Sequence, residues 1–350
     1  MAKKARIAVL GAGWWATEYH IPDLASREDV ELTGVCRLGA DELTMVKDRF
    51  GFDYASEDFR EVLNNCEADG VVVASPHVAH FENASAALRR GAHVLVEKPM
   101  TTTADQAREL TAIAAEAGRQ IMIPHGFNFT HYMPAAADWI ANGKIGDVRH
   151  VCCQMGSALL DLFGGEPMLE TVDHTFRPPP STWADPARAG GYGWGQLSHL
   201  LGALFRLVPS DPEQVFAMTN LSQTGVDYYD AATVRLANGT TCAISGAAGP
   251  PKHIGAHIDI RVYGTDGIIF LDIERERLEL RRHDEQDEIF PFEPGEGVAA
   301  YSTSEPLNRF VDLCLGREIV NDGDGTVGRR SVEVLDAMYR SAASGVVERC

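Results

Sequence analysis

Cysteine is sparse and scattered in this chain. Cys36, Cys66, Cys152, Cys153, Cys242, Cys314 and Cys350 are odd in number and lack the close spacing of metal ligands. That argues against a disulfide framework and a zinc site, and predicts reduced thiols in a cytoplasm, with no bound metal. Positive charge is short as well. Lys and Arg number 31 against 50 Asp and Glu, a net charge of -19, and so acidic a surface repels phosphate backbones and anionic lipid, which leaves nucleic acid and membranes as poor partners. No apolar stretch is long enough to span a bilayer. The basic start, Met1-Ala2-Lys3-Lys4, leads only into a short apolar run, so no signal peptide is expected. Internal repeats and low-complexity segments are lacking too.

What remains is a globular composition, 45% apolar and 23% charged over 350 residues, enough for two domains with a core in each. From residue 5 to about 123, short apolar runs alternate with helical stretches. Ile7 to Leu10, Leu32 to Cys36, Gly70 to Ala74, His93 to Val96 and Gln120 to Ile123 suit strands buried on both faces. Val78 to Arg90 ends at Gly91, and Ala104 to Ala117 follows the capping residues Thr102 and Thr103 and stops at Gly118. The pattern predicts an α/β fold: a doubly wound parallel sheet of the Rossmann type over 1–124.

Beyond residue 215 the texture changes to strands joined by tight turns. Val215 to Leu221, Ala231 to Leu236, Thr240 to Ser245, His257 to Tyr263, Gly267 to Ile273 and Arg277 to Arg281 are strand candidates, with turns at Asn238-Gly239 and Gly264-Thr265-Asp266. A last helix, about Val327 to Ala343, turns Val334, Leu335 and Met338 to a core. Residues 125–350 therefore read as an α+β domain with a largely antiparallel sheet, serving substrate binding and oligomerisation. Alternation such as His257-Ile258-Asp259-Ile260 leaves one face of that sheet either for a homo-oligomer, a dimer or tetramer, or for the chain's own helices. The Pro- and Gly-rich stretch from Phe163 to Gly195 is the longest irregular region, of a kind that often carries function.

The first strand runs into Gly11-Ala12-Gly13-Trp14-Trp15-Ala16, which reads as a dinucleotide-binding turn. Gly11 permits the tight turn, Gly13 lets a pyrophosphate approach the backbone, and Ala16 is the small residue where helix packs on strand. The helix that follows offers N–H groups and a positive dipole end to phosphates. A structural strand-turn-helix can carry the same spacing, so the glycines alone do not decide.

The stretch Gly91-Ala92-His93-Val94-Leu95-Val96-Glu97-Lys98-Pro99-Met100 decides more. With the glycine turn, with Ser75-Pro76-His77 and His80, and with Gly143-Lys144-Ile145-Gly146-Asp147-Val148, it resembles the Gfo/Idh/MocA oxidoreductase family over nearly the whole chain. The resemblance implies a nicotinamide-dependent enzyme that moves a hydride at a CH–OH or keto carbon of a sugar, glycoside or cyclitol. It also implies that Lys98 lies beside the nicotinamide, that Pro99 is a candidate for a cis peptide bond, and that Ser75, His77, His80 and Glu97 border the cofactor. Chemistry supports Lys98 independently: oxidation of a secondary alcohol needs a group to take the hydroxyl proton, and a buried ammonium beside a nicotinamide has a lowered pKa. The alternative is a strand-end lysine paired with Glu97.

The same resemblance calls for a glycine-rich loop and a helix carrying Asp and, four residues on, His. Here Gly190-Gly191-Tyr192-Gly193-Trp194-Gly195-Gln196-Leu197-Ser198-His199 supplies the histidine, but the companion position is Gly195. Residues four apart share a helix face, so a Lys-Asp-His triad is in doubt, and Lys98 and His199 stand as the acid/base candidates. The lost side chain is expected to open the pocket floor to bulkier glycosides.

After the second strand, where many members of the family carry an acid for the ribose hydroxyls, this chain has Arg37. A guanidinium there favours the 2′-phosphate of NADP(H), with NAD(H) as the alternative if Arg37 merely lies along the adenine. Trp14 and Trp15 could cover the nicotinamide or pack. Asn128 and His131 are candidate substrate contacts. In the long loop, Arg177, Trp183, Arg188, Tyr192 and Trp194 form the set expected near a sugar, or else an oligomer interface. The competing reading is a cofactor- or sugar-sensing regulator without catalysis, motivated by the missing acid.

Overall fold

The structure, a computed structural model, describes residues 3–292 and 301–350; Met1 and Ala2 of the basic start lie outside them. The chain divides into two compact units. The first comprises Met1–Pro124, Pro167–Thr182 and Thr303–Arg329, and the second His125–Glu166, Trp183–Ser302 and Arg330–Cys350. Two stretches of the expected second region are thus returned to the first unit.

In the first unit, β1 (Ala5–Leu10), β2 (Val30–Cys36), β3 (Tyr54–Ser56), β4 (Gly70–Val73), β5 (His93–Val96) and β6 (Ile121–Met122) form a six-stranded sheet in the order β3-β2-β1-β4-β5-β6. Every pairing is parallel. β4 and most of β1 are buried throughout, as central strands covered on both faces require. The order reverses between β1 and β4, which creates the crevice where such sheets bind ligands. β3 is an edge strand of three residues that the sequence reading missed. Helix Ala104–Ala117 starts with the Thr103 hydroxyl accepting the Gln106 N–H (3.2 Å) and ends at a left-handed Gly118. A helix from Ser304 to Cys314 lies against β1, β4 and β5. Gly70 leaves room for it, since a Cβ there would stand 2.8 Å from the Phe310 ring.

The second unit is built on nine strands: β7 (Val148–Gly156), β8 (Pro212–Leu221), β9 (Asp227–Leu236), β10 (Thr241–Ala247), β11 (His257–Gly264), β12 (Gly267–Asp272), β13 (Arg277–Arg282), β14 (Glu288–Ile289) and β15 (Glu348–Arg349). Their order is β14-β13-β12-β11-β7-β10-β9-β8-β15. All neighbours are antiparallel except β7 and β10, which run parallel. Burial alternates along β9, β10 and β11, one face inward and one out. The long C-terminal helix, Gly325–Ser344, buries Val334, Leu335 and Met338. No helix among the described residues is long and apolar enough to cross a membrane.

Candidate active site

The glycine turn of the first unit is shaped by two different demands. Gly11 has φ +93°, and a Cβ on it would lie 2.6 Å from the Ala74 carbonyl carbon and closer still to the Ser75 backbone. Only glycine lets the ends of β1 and β4 meet there. Gly13 is the opposite case, with no heavy atom within 4 Å of its missing Cβ. That leaves open space at the turn. Beside it, the Ser75 hydroxyl oxygen is cut off from solvent and has no hydrogen-bond partner among the described residues, a vacancy a nucleotide oxygen can satisfy. The helix beyond the turn contains a π turn over Ala16–His20, closed by the Ile21 N–H bonding Ala16 O five residues back. Such turns recur at functional sites.

That helix carries His20 to Glu97. His20 Nε2 donates to Glu97 Oε1 at 2.7 Å, and Glu97 Oε2 accepts the Lys98 N–H at 3.1 Å. Burial works to raise the Glu97 carboxyl, but the His20 hydrogen bond and the electrostatic pull of the nearby His20, Lys98 and His80 side chains outweigh it and hold it below its ordinary value. Lys98 is itself buried. Burial draws its ammonium below the ordinary lysine value, with Glu97 pulling back. The Lys98–Pro99 peptide is cis, as the resemblance implied. His80 lies 2.7 Å from Ser75 O through Nε2 and 2.7 Å from Pro99 O through Nδ1. Both partners only accept, so the neutral ring donates to one and a protonated ring to both. Burial lowers its pKa against those bonds. Glu97 and His80 thus brace Lys98 and the Ser75 loop, and His77 packs edge-on at 5.8 Å from His80.

Arg37 sits beside the glycine turn. Its Nη1 donates to Ala12 O at 2.8 Å, its guanidinium lies 3.6 Å from the centre of the Phe176 ring, and burial lowers its pKa against Glu42. Trp14 and Trp15 meet edge to face at 5.5 Å. Trp15 packs on Tyr19, whereas the Trp14 indole N–H donates to His174 Nδ1 at 2.7 Å.

In the second unit, Tyr192 to Leu207 is one helix with a second π turn, in which the Ser198 N–H bonds Gly193 O. His199 is buried on it, ringed by His125 (6.1 Å), Phe127 (6.1 Å) and Tyr301 (5.3 Å), all edge to face. His125 fits because position 202 is glycine; a Cβ there would stand 2.6–2.8 Å from its ring atoms. Asn128, expected at a substrate, is wholly buried and donates through Nδ2 to Gly202 O at 3.0 Å. It ties the His125 loop to the helix instead.

The space vacated at Gly195 is filled. A Cβ there would first meet Phe163 at 2.9 Å and Trp183 at 3.2 Å, so the expected opening in the pocket floor is absent, taken up by aromatic rings. Phe163 also touches Tyr192. Tyr192, expected at a sugar, is a core residue with no exposure, its hydroxyl donating to Met155 O (3.2 Å) and within 3.1 Å of Ser157 Oγ. Trp194 stacks on Tyr339 at 5.3 Å. The Tyr339 hydroxyl donates to Asp227 Oδ1 (2.7 Å), whose Oδ2 accepts the Gly193 N–H (2.6 Å). This clasp fixes the glycine-rich loop. Trp183 is half-buried, Arg188 is exposed near Asp185, and His131 is exposed against Phe290. Arg177 belongs to the first unit. Of the expected sugar set, Tyr192 alone is without exposure. His20, His125, His174, Phe176, Asp227 and Tyr301 were missed, since nothing local in the sequence marks them.

No cluster of three or more metal-ligating side chains occurs among the described residues. Residues 5–125 match the model of an oxidoreductase family with an NAD-binding Rossmann fold, GFO/IDH/MocA, and residues 133–270 match that family's C-terminal domain. The chain is 29% identical over 143 residues to a D-glucoside 3-dehydrogenase of Escherichia coli K12, covering 41% of each. It is 33% identical over 150 residues to a dTDP-3,4-didehydro-2,6-dideoxy-alpha-D-glucose 3-reductase of Actinomadura kijaniata, covering 42% of this chain and 44% of the reductase. These matches span about two fifths of the relatives' length. A levoglucosan dehydrogenase solved with NADH and levoglucosan shares the fold, with TM-score 0.77, 17% identity and 99% of both chains covered.

Proposed function

The chain belongs to the Gfo/Idh/MocA oxidoreductase family, and from that premise we propose that it transfers a hydride between a nicotinamide cofactor and a hydroxyl-bearing carbon of a sugar or glycoside. The observation that carries the reading is Lys98, a buried amine with its ammonium destabilised, held by Glu97 at the end of a strand of the dinucleotide-binding sheet. The relatives named for a glucoside and a dTDP-sugar support the substrate class.

A bound nicotinamide supplies the hydride acceptor. Gly13 and Ser75 would hold its pyrophosphate and neighbouring oxygens, and Arg37 the adenosine ribose. Lys98, neutral in the oxidative direction, takes the hydroxyl proton onto Nζ as the carbon–oxygen double bond forms, and in reduction returns it to the oxygen. Glu97 is a positioning residue: fixed by His20, it anchors the Lys98 backbone and partly offsets the effect of burial on the ammonium. His199, carried by the second unit, is the other acid/base candidate. Arg37 favours NADP(H), because a guanidinium attracts a 2′-phosphate where an acid would repel it. The exposed Met218, Leu221 and Tyr229 on β8 and β9 support a homo-oligomer, which light scattering would detect.

The test is turnover of a panel of sugars and glycosides with NADP+ and NAD+, followed at the nicotinamide absorbance. Lys98→Ala is expected to lose about 10²- to 10⁴-fold in turnover with dinucleotide binding retained. Turnover within a few-fold of wild type would remove Lys98 from the chemistry. Dinucleotide binding with no turnover of any sugar by the wild type would favour the sensor that the missing acid at Gly195 suggests.

A further inference from the structure

Between Met168 and Arg177 the chain makes a short loop tied to itself. Thr171 Oγ1 donates to Met168 O (2.9 Å), the His174 N–H to Thr171 O (3.2 Å), and Arg177 Nε to Thr171 Oγ1 (3.2 Å), while Arg177 Nη2 also bonds Met168 O. Loops closed on themselves by their own side chains in this way are compact. Most of its surface is exposed, Leu169 at 74% and Val172 at 65%. Three consecutive residues are not: His174, Thr175 and Phe176 are half-buried.

Each of the three is held by a different side chain around the glycine turn. His174 Nδ1 accepts the Trp14 indole N–H (2.7 Å), and the two rings stack at 6.2 Å and 20°. The Thr175 N–H donates to Glu18 Oε1 (2.8 Å), and its hydroxyl accepts from Arg49 Nη1 (2.7 Å). The Arg37 guanidinium carbon stands over the Phe176 ring, 3.6 Å from its centre. Trp14 and Glu18 belong to the helix that follows Gly13, and Arg37 follows β2 and reaches back to Ala12 O. The loop thus grips both walls of the groove into which the adenosine half of a dinucleotide must pass, and through Phe176 it covers one face of the cation proposed to read the ribose.

We propose that His174–Phe176 are a strap over the adenosine half of the dinucleotide site, and that dinucleotide release requires the strap to lift. The inference rests on the reading of that groove as the nucleotide site. Phe176 does two things at once: it closes the groove, and it holds the Arg37 guanidinium against its ring by a cation–π contact.

The experiment is stopped-flow release of NADPH, and separately NADH, from the full chain, followed by nicotinamide fluorescence during a chase with excess oxidised dinucleotide. Phe176→Ala is expected to speed release about tenfold, in the range a desolvated cation–π contact carries. His174→Ala should speed release by removing the acceptor of the Trp14 bond, and Phe176→Tyr, which keeps the ring, should leave the rate near wild type. Circular dichroism checks that each variant is folded. Binding with release unchanged within twofold in both alanine variants overturns the strap and leaves the nucleotide site standing; failure of the wild type to bind NADPH or NADH overturns both.

Discussion

Alanine at Gly11 and alanine at Gly13, two residues apart, should have opposite effects. At Gly11 the new Cβ meets backbone atoms of Ala74 and Ser75, which cannot rotate away, in a residue with φ +93°. Positive φ outside glycine costs about 1–3 kcal/mol and overpacking about another 1–3 kcal/mol. A loss of about 2–6 kcal/mol is a large part of the 5–15 kcal/mol that typical folds possess. Gly11→Ala should therefore lower the urea midpoint steeply or fail to fold. At Gly13 nothing lies within 4 Å, so stability should stay within about 1 kcal/mol of wild type, while the methyl group fills the space proposed for the pyrophosphate. There the expected loss is in affinity, at least about tenfold, or 1.4 kcal/mol, read by titrating NADH and NADPH against nicotinamide fluorescence. Unchanged affinity in a folded Gly13→Ala would show that the open space is not where the pyrophosphate lies. A stable Gly11→Ala would refute the close approach of β1 and β4.

Two further perturbations probe each unit. Glu97 is the anion that opposes the effect of burial on Lys98, so Glu97→Gln should lower the lysine pKa further and move the acid limb of the pH–rate profile for alcohol oxidation to lower pH; a limb that stays or rises contradicts the assignment. Because the folded carboxyl is held below its ordinary value, its contribution to stability is present above the unfolded pKa and is lost as pH falls through the folded one. Denaturation of wild type and Glu97→Gln should therefore converge in acid. In the second unit, Gly202→Ala pushes on the His125 ring. Overpacking of about 1–3 kcal/mol outweighs a helix-propensity gain of about 1 kcal/mol, so the expected result is a modest loss of stability with reduced turnover. A stabilised, fully active variant would show that His125 and its niche do nothing for His199.

Much of the first unit was legible because buried parallel strands leave unbroken apolar runs: His93–Val96 and Ala104–Ala117 fall where the pattern put them. β3 was not, since Tyr54-Ala55-Ser56 carries no periodicity. β7 escaped for a different reason. Its inward residues Val151, Cys153 and Met155 alternate with Cys152 and Gln154, a weak pattern, and its partners β10 and β11 lie some ninety or more residues further on. At the candidate site, Lys98 was readable from its motif and Arg37 from its place after β2. The groups that fix them were not: His20 meets Glu97 across 77 residues and Trp14 meets His174 across 160, and no local spacing encodes such pairings. The π turns at Ala16–His20 and Gly193–Leu197 were invisible too, and the second bears on the expectation that Gly195 and His199 share a face, since that spacing assumes an uninterrupted α-helix.

The helix Ser304–Cys314, packed on β1, β4 and β5, has a consequence for the order of synthesis. The ribosome delivers the strands of that sheet within the first 122 residues, yet the helix that covers them emerges some 180 residues later, after the whole nine-stranded sheet apart from its last short strand. Until then the groove beside Gly70, which Phe310 will occupy, faces water or a chaperone. A nascent chain therefore spends most of its translation with the dinucleotide-binding sheet incompletely covered, and a fragment ending near residue 124 should behave as an aggregating intermediate rather than as a free-standing domain.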